Sequence, residues 1–337
     1  MDMSLPYPPP LVLITGATGF IGSHVVLLSL RAGYRVRLTI RKPEGEAVVR
    51  ARYPEFKNQI AIILIPDITV PDVLKPALDG VDHIFHLASP MPGAGSDLQK
   101  DYIDPAVKGT ESTLFSALEF PRIKSVIVVS SLLALTPPMS LCEKEVFVRG
   151  NTNDVIPIDL NPSLLEGSLG HGLKYSVSKI SAHQATRDFL ANQNPHFTIA
   201  TFHPSFVLGE SLIQSAPEEI DGMNALFWNS LHSEKPIIPN VWVDVRDVAE
   251  ALVRALKTEI LSGTEFILSA PAGSWEEVGE LVRRKFPSVR CELKGPMEAG
   301  WTVDTETAER ILGMQWRGQN EIVEAVLEQQ LRLRGAK

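Results

Sequence analysis

Apolar and polar positions divide this chain into two halves of different rhythm. Through positions 11–203, short apolar runs alternate with amphipathic stretches. The runs at 11–15, 35–40, 60–65, 82–86, 125–129 and 197–202 read as strands. The stretches at 20–32, 44–52, 71–78, 98–120 and 175–191 read as helices, with Gly33 ending the first and Pro105 breaking the fourth. The run at 60–65 is apolar throughout, as expected of a strand buried on both faces. Strands separated by helical crossovers predict an α/β fold, a Rossmann-type doubly wound parallel sheet with helices on both faces.

Beyond His203 the pattern loosens. A short apolar helix is predicted at 223–231, and an amphipathic one at 247–256 with Val248, Ala251, Leu252, Ala255 and Leu256 at helical spacing. A strand follows at 266–268, then a capping box at Ser274 and Glu277 opening a helix with Val278, Leu281 and Val282. Positions 321–333 form a last amphipathic helix. This divides the chain into a nucleotide-binding domain, 1–203, and a smaller substrate-binding lobe, 204–337, of which some segments are free to return to the first. Such a lobe belongs over the carboxyl ends of the strands, where open α/β sheets bind ligands.

Composition changes this picture little. A hydrophobic fraction of 44% in 337 residues supplies a sizeable core, and a net charge of −8 argues against nucleic-acid or acidic-membrane partners. Cys142 and Cys291 are too few and too far apart for a disulfide framework or a metal site. The first ten residues lack the basic region of a signal peptide, and the longest apolar stretch, 125–135, is short and interrupted by Ser130 and Ser131. The expectation is a cytoplasmic protein, monomer or homodimer, with a small-molecule substrate and no metal.

Two stretches carry candidate chemistry. The first is the turn Thr15-Gly16-Ala17-Thr18-Gly19-Phe20-Ile21-Gly22, between the first strand and first helix. Strand, glycine turn and helix in that order suit a dinucleotide pyrophosphate. Gly16 can adopt a backbone conformation closed to other residues, Gly19 leaves room for phosphate, and Gly22 allows close packing of helix on sheet. Gly16, Thr18, Gly19, Phe20, Ile21 and Gly22 thus form the expected cradle, completed by the unpaired N–H groups of the helix start. The second strand ends in Arg41-Lys42 with no carboxylate before Glu44. A guanidinium can fork against a 2′-phosphate and stack on adenine, so NADP(H) is expected rather than NAD. Asp67-Ile68, after the third strand, can meet the adenine edge, although Asp67 can equally cap the next turn.

The second stretch is Tyr175-Ser176-Val177-Ser178-Lys179. Residues four apart share a helix face, so phenol and ammonium can converge. A free phenol titrates near ~10, and a neighbouring ammonium with an oxidised nicotinamide would bring it toward neutrality. Ser130 and Ser131 leave the fifth strand at its carboxyl end, where a hydroxyl can bind a carbonyl oxygen.

With these residues on the page, the chain resembles an extended (atypical) short-chain dehydrogenase/reductase, near the dihydroflavonol reductase, cinnamoyl-CoA reductase and fungal methylglyoxal/aldehyde reductase group. The resemblance runs through the glycine turn, Arg41, Phe85-His86-Leu87-Ala88-Ser89-Pro90-Met91, Ser130-Ser131, Tyr175 to Lys179, Pro204 to Gly209, Val243 to Val248 and Arg310 to Met314. It implies that Ser131, Tyr175 and Lys179 are catalytic, with Tyr175 the proton donor and Lys179 its tuner and ribose anchor. It places Leu87, Ala88 and Ser89 along the cofactor, Pro204, Phe206 and Val207 near the nicotinamide amide, and gives His86 a structural role. Three positions depart from the family's habits: Ala106, His203 and Glu210. Leu132 to Leu135 are bulkier than a flavonoid site prefers.

The expected activity is NADPH-dependent reduction of an apolar ketone or aldehyde. Met91, Leu135, Phe206, Leu226, Phe227 and Trp228 are candidate pocket walls, and 141–169 a candidate irregular lid. A sugar-nucleotide epimerase or dehydratase retaining NAD is the alternative, weakened by Arg41 and the apolar second lobe. A non-catalytic NADP-binding regulatory protein is a third, weakened by the intact tyrosine–lysine pair.

Overall fold

The computed structural model describes residues 9–89, 95–295 and 300–335. Its first half runs β1 (Leu11–Thr15), α1 (Phe20–Arg31), β2 (Arg35–Ile40), α2 (Glu44–Arg52), β3 (Ile60–Leu64), α3 (Lys75–Leu78), β4 (His83–His86), α4 (Asp104–Leu118) and β5 (Ser125–Val129). Then come β6 (Val146–Val148), α5 (Gly167–Gln193), β7 (Thr198–Pro204), β8 (Phe206–Leu208), α6 (Gly222–Leu231), β9 (Trp242–Asp244), α7 (Val245–Ala255) and β10 (Thr264–Leu268). The chain closes with α8 (Trp275–Lys285), β11 (Trp301–Val303), α9 (Glu306–Leu312) and α10 (Gln319–Leu333).

Seven parallel strands form one sheet in the order β10-β7-β5-β4-β1-β2-β3. The chain starts in the middle, builds outward to β3, then crosses back to β4. That reversal opens a crevice between the carboxyl ends of β1 and β4, the place where doubly wound sheets take ligands. Register aligns the strand ends there: Thr15 lies beside His86, and Val129 beside Phe202. On one face Val12, Ile14, Val36, Leu38, Phe85 and Phe266 pack under α1 and α7. On the other, Leu11, Leu13, Ile84, Val126 and Ile199 pack under α3, α4 and Phe189 of α5.

Some expectations needed correction. The 60–65 run is the outermost strand, with Leu64 46% exposed, because no strand among the described residues pairs beyond it. The helix expected at 71–78 shrinks to α3, since Asp72 adopts a left-handed φ of 63°. The long helix at 98–120 is a wide π-helical turn over Leu98–Ile103 followed by α4, with Pro105 in the first turn of α4, where its missing N–H costs nothing. Helix α5 begins at Gly167, well before Tyr175. Gly167, Gly170 and Gly172 weaken the helical signal there, yet a side chain at Gly170 would collide with the Leu165 carbonyl.

Strand β10 extends the main sheet beyond β7, so the second half of the chain contributes its last strand. The remainder builds a second core, where Phe227, Trp242 and Trp275 stack among α6, α8 and α10. Within 141–169, β6 pairs in parallel with β11.

Candidate active site

The glycine turn is tight for internal reasons. Gly16 has a φ of +70°, and a Cβ there would stand 2.8 Å from the Ala88 nitrogen. Gly22 packs against the turn itself, since a Cβ would strike the Gly16 carbonyl; its need for glycine lies in this loop–helix contact rather than against the sheet. Gly19 starts α1 in an extended conformation and no side chain caps that helix. The first-turn N–H groups therefore face the crevice without a side-chain acceptor. These features fit a pyrophosphate: a tight turn of glycines, and donors left for an anion.

Thr15 fixes the opposite wall. Its hydroxyl oxygen accepts from the Leu87 and Ala88 N–H groups, at 3.1 Å each, and lies 3.1 Å from His86 Nδ1. The Thr113 hydroxyl, which donates to the Gly109 carbonyl, lies 3.1 Å from the same Nδ1, so two threonines hold the ring. Burial, reinforced by the Lys179 charge, pushes the His86 pKa down to about 3, so the ring is neutral. His86 thus orients the 87–88 backbone.

Arg41 and Lys42 are exposed at the end of β2, and neither side chain makes a hydrogen bond or ion pair among the described residues. Asp67 uses Oδ1 to accept from the Thr69 N–H and hydroxyl, at 2.9 and 2.7 Å, and so caps its own turn. Ile68 packs toward Gly109 of α4. Ser89, Pro204, Phe206 and Val207 lie at the carboxyl ends of β4 and β7 or just beyond.

Ser131 begins a single 3-10 turn after β5, its hydroxyl accepting from the Leu133 N–H at 3.3 Å. The Ser176 hydroxyl donates to the Leu133 carbonyl at 3.1 Å and pins this turn to α5. The Ser131 hydroxyl stands beside the Tyr175 phenol and lowers its pKa, and Lys179 Nζ lies 5.4 Å from the Tyr175 ring centre. The three residues named from sequence therefore meet in one place. Burial pushes the phenol up to about 12, against the pull of the Ser131 hydroxyl, and burial pushes Lys179 down to about 8. In the chain alone, dehydration outweighs the lysine's expected lowering of the phenol pKa.

Of the candidate pocket walls, Leu135 and Phe206 share a cluster with Tyr175. Phe227 is a correction: it is fully buried between Trp242 and Trp275, inside the second core. Trp228 is another, because it faces Arg334 and His232 rather than the triad. Leu226 is partly buried against the same second core, and Met91 lies outside the described residues. Trp301, Leu141 and Val241 stand in the Tyr175 cluster instead, with Phe206 edge-on to Trp301 at 6.4 Å. Trp301 and Val303 do alternate with a polar residue, but three residues are too short a signal to read as a strand.

A buried polar array behind the triad was also missed. His203 donates from Nδ1 to the Ser131 carbonyl at 3.0 Å and accepts from the Thr201 hydroxyl at Nε2, 2.8 Å away. Burial, and then the neighbouring His183, push its pKa down to about 3. His183 Nε2 donates to Glu265 Oε1 at 2.9 Å, and Arg187 pairs with the same oxygen at 2.5 Å. These residues are scattered over α5, β7 and β10, so no local spacing links them.

The neutral histidines predict acid lability. His83, pushed to about 4 mainly by burial, joins His86 and His203 at about 3. A folded-state pKa below the unfolded value means the folded chain binds fewer protons. Stability is therefore complete above the unfolded pKa of ~6.5 and falls as pH drops toward the folded values, by about 1.4 kcal/mol per pH unit for each histidine. Urea melts from neutral pH to pH ~4 should show midpoints declining steeply below pH ~6.5, and a flat profile would contradict the buried neutral assignment.

Among the described residues no cluster of ligating side chains holds a metal, and no helix is long and apolar enough to cross a membrane. The chain is 33% identical to the ketoreductase sphI of Aspergillus fumigatus over 96% of its own length and 98% of that protein's. Its fold superposes on yeast methylglyoxal/isovaleraldehyde reductase Gre2, solved with NADPH, with a TM-score of 0.82 at 22% identity, covering 97% of this chain and all of that one. It superposes on alfalfa vestitone reductase with a TM-score of 0.75 at 22% identity, over 96% and 99% of the two chains. Residues 12–268 match the model of the NAD dependent epimerase/dehydratase family. From the strand ends to the Ser131–Tyr175–Lys179 cluster, the chain belongs to that family, the extended short-chain dehydrogenases/reductases, a family of NAD(P)-dependent oxidoreductases.

Proposed function

We propose that this protein is an NADPH-dependent reductase of an apolar ketone or aldehyde. The observation that carries the reading is the Ser131–Tyr175–Lys179 cluster, standing at the carboxyl ends of the strands. Full-length similarity to a ketoreductase supports reduction over the epimerase chemistry also found in the family.

NADPH would rest on Gly16, Thr18, Gly19, Phe20, Ile21 and Gly22, with its 2′-phosphate at Arg41 and Lys42, and when bound it supplies the hydride. The chain's own groups do the rest. The Ser131 hydroxyl and Tyr175 phenol together bind the carbonyl oxygen, and the phenol delivers its proton to that oxygen as negative charge builds. Lys179 keeps positive charge beside the phenol, stabilising the phenolate left behind. Leu135, Leu141, Phe206 and Trp301, all packed in the Tyr175 cluster, supply apolar walls that exclude water.

The decisive assay is oxidation of NADPH and of NADH against a panel of apolar ketones and aldehydes. NADPH should be preferred, and Arg41→Ala should raise KM for NADPH by about 10- to 100-fold while leaving NADH nearly unchanged. Equal loss with both cofactors would remove the 2′-phosphate role. Tightly retained NAD in the purified protein would favour the epimerase reading.

A further inference from the structure

Close to Lys179 the structure holds a small cavity lined by His86, Thr110, Ser130, Lys179, His183 and Thr186, among others. Its water-accessible volume is about 20 Å3, and roughly 10–15 Å3 suffices for one water with polar partners. His183, one helical turn beyond Lys179, is 4% exposed. Its Nε2 is committed to Glu265, and its Nδ1 is a buried atom without a partner. Glu265 is anchored in turn: Arg187 pairs with Oε1, and the Asn151 N–H donates to Oε2 at 2.6 Å. Burial opposes its charge, but the bonds from His183 and Arg187 hold its carboxyl well below the usual carboxylate range.

We infer that His183, backed by Glu265, is a positioning residue for Lys179: it holds one water in this cavity and through it gives the buried ammonium its acceptor. The water accepts from the Lys179 ammonium and donates to His183 Nδ1, while His183 Nε2–H donates to the Glu265 carboxylate. Every dipole in this chain turns its negative end toward the lysine, so the Glu265 charge is felt at Nζ across two intervening groups. The other titratable groups nearby do not supply that acceptor. His86 on β4 is neutral and has Nδ1 between the Thr15 and Thr113 hydroxyls, His203 on β7 is neutral and bonded at both nitrogens, and the Tyr175 phenol stands beside the Ser131 hydroxyl. Arg187 carries charge of the wrong sign and is held by Glu265 and the Asp154 carbonyl.

The role of Lys179 in reduction rests on the proposed function, but its titration can be read without cofactor or substrate. Trace acetylation of the cofactor-free protein, followed at Lys179 by peptide mass spectrometry from pH ~6 to ~10, gives its protonation midpoint. His183→Leu removes the acceptor and should lower that midpoint by about one pH unit. His183→Asn sets an amide oxygen near the Nδ1 position and should keep the wild-type midpoint. Glu265→Gln still accepts from His183 but lacks the charge, so it should lower the midpoint by less, and it serves if the leucine variant does not fold. An unchanged midpoint in His183→Leu or Glu265→Gln overturns the inference, as does an equal fall in the leucine and asparagine variants. Lack of reductase activity in the wild type would sink the functional reading and leave this titration result standing.

Discussion

Replacing Tyr175 by phenylalanine should lower kcat by about 10^2- to 10^4-fold, while the Kd for NADPH stays within about twofold of the wild type. The change deletes one hydroxyl from a phenol whose ring packs in the cluster of Leu135, Phe206 and Trp301, so the scaffold loses little. What it removes is the proton that must reach the carbonyl oxygen, together with one of the two hydroxyls proposed to bind that oxygen. Ser131→Ala should be milder, about 10^2-fold, because the phenol still reaches the oxygen. Lys179→Met should lose both rate and affinity, since the ammonium is read as touching the cofactor ribose as well as tuning the phenol. Single-turnover stopped flow gives the rate, and NADPH fluorescence titration gives the affinity. Turnover near the wild-type level in Tyr175→Phe would remove the phenol from the chemistry and with it the proposed mechanism.

That Ser131, Tyr175 and Lys179 could be expected from sequence to converge, whereas the array behind them could not, has a physical cause. Tyr175 and Lys179 are four apart on one helix, and Ser130 and Ser131 both follow an apolar strand, so periodicity and strand polarity bring a serine to the pair, and the family resemblance singles out Ser131. The glycine turn is legible on the same grounds, because its backbone demands are local. His183, His203 and Glu265 meet only after β10 has docked beside β7 and α5 has crossed beneath, and each alone reads as an ordinary core or surface residue. The pocket walls failed in the same way. Apolar residues at 226–228 look equally suited to a pocket or a core, and only tertiary packing shows Phe227 packed against two tryptophans. The edge position of β3 was hidden because an apolar run records hydrophobicity, not which neighbours the sheet order supplies. Sheet order itself depends on crossovers, which is why a strand from the far half of the chain could join the first-half sheet.

Gly16→Val should be the most damaging single change outside the triad, with Gly33→Ala as its control. Both glycines have left-handed φ values, +70° and +88°, so both substitutions incur backbone strain of about 1–3 kcal/mol. Only Gly16 adds a collision: its Cβ would lie 2.8 Å from the Ala88 nitrogen and 2.9 Å from the Leu87 carbonyl carbon, whereas nothing stands within 4 Å of a Cβ at Gly33. These are backbone atoms, tied to Thr15 by two hydrogen bonds, and they cannot rotate away as a side-chain tip would. Valine must therefore push the 87–88 segment outward or distort the turn, and both movements disturb the crevice proposed to hold the pyrophosphate. The expected result is a fall in NADPH affinity of about 10^2-fold or more, equivalent to roughly 3 kcal/mol, with Tm lowered by several degrees. Gly33→Ala should lower Tm by about 2–4 °C for each kcal/mol of strain and leave NADPH affinity at the wild-type value, because Gly33 ends α1 at the opposite edge of the sheet from the turn. Calorimetry for Tm and fluorescence titration for Kd separate the two effects. If Gly16→Val bound NADPH as the wild type does, Gly16 would be a structural turn residue and the cofactor would have to enter the crevice elsewhere.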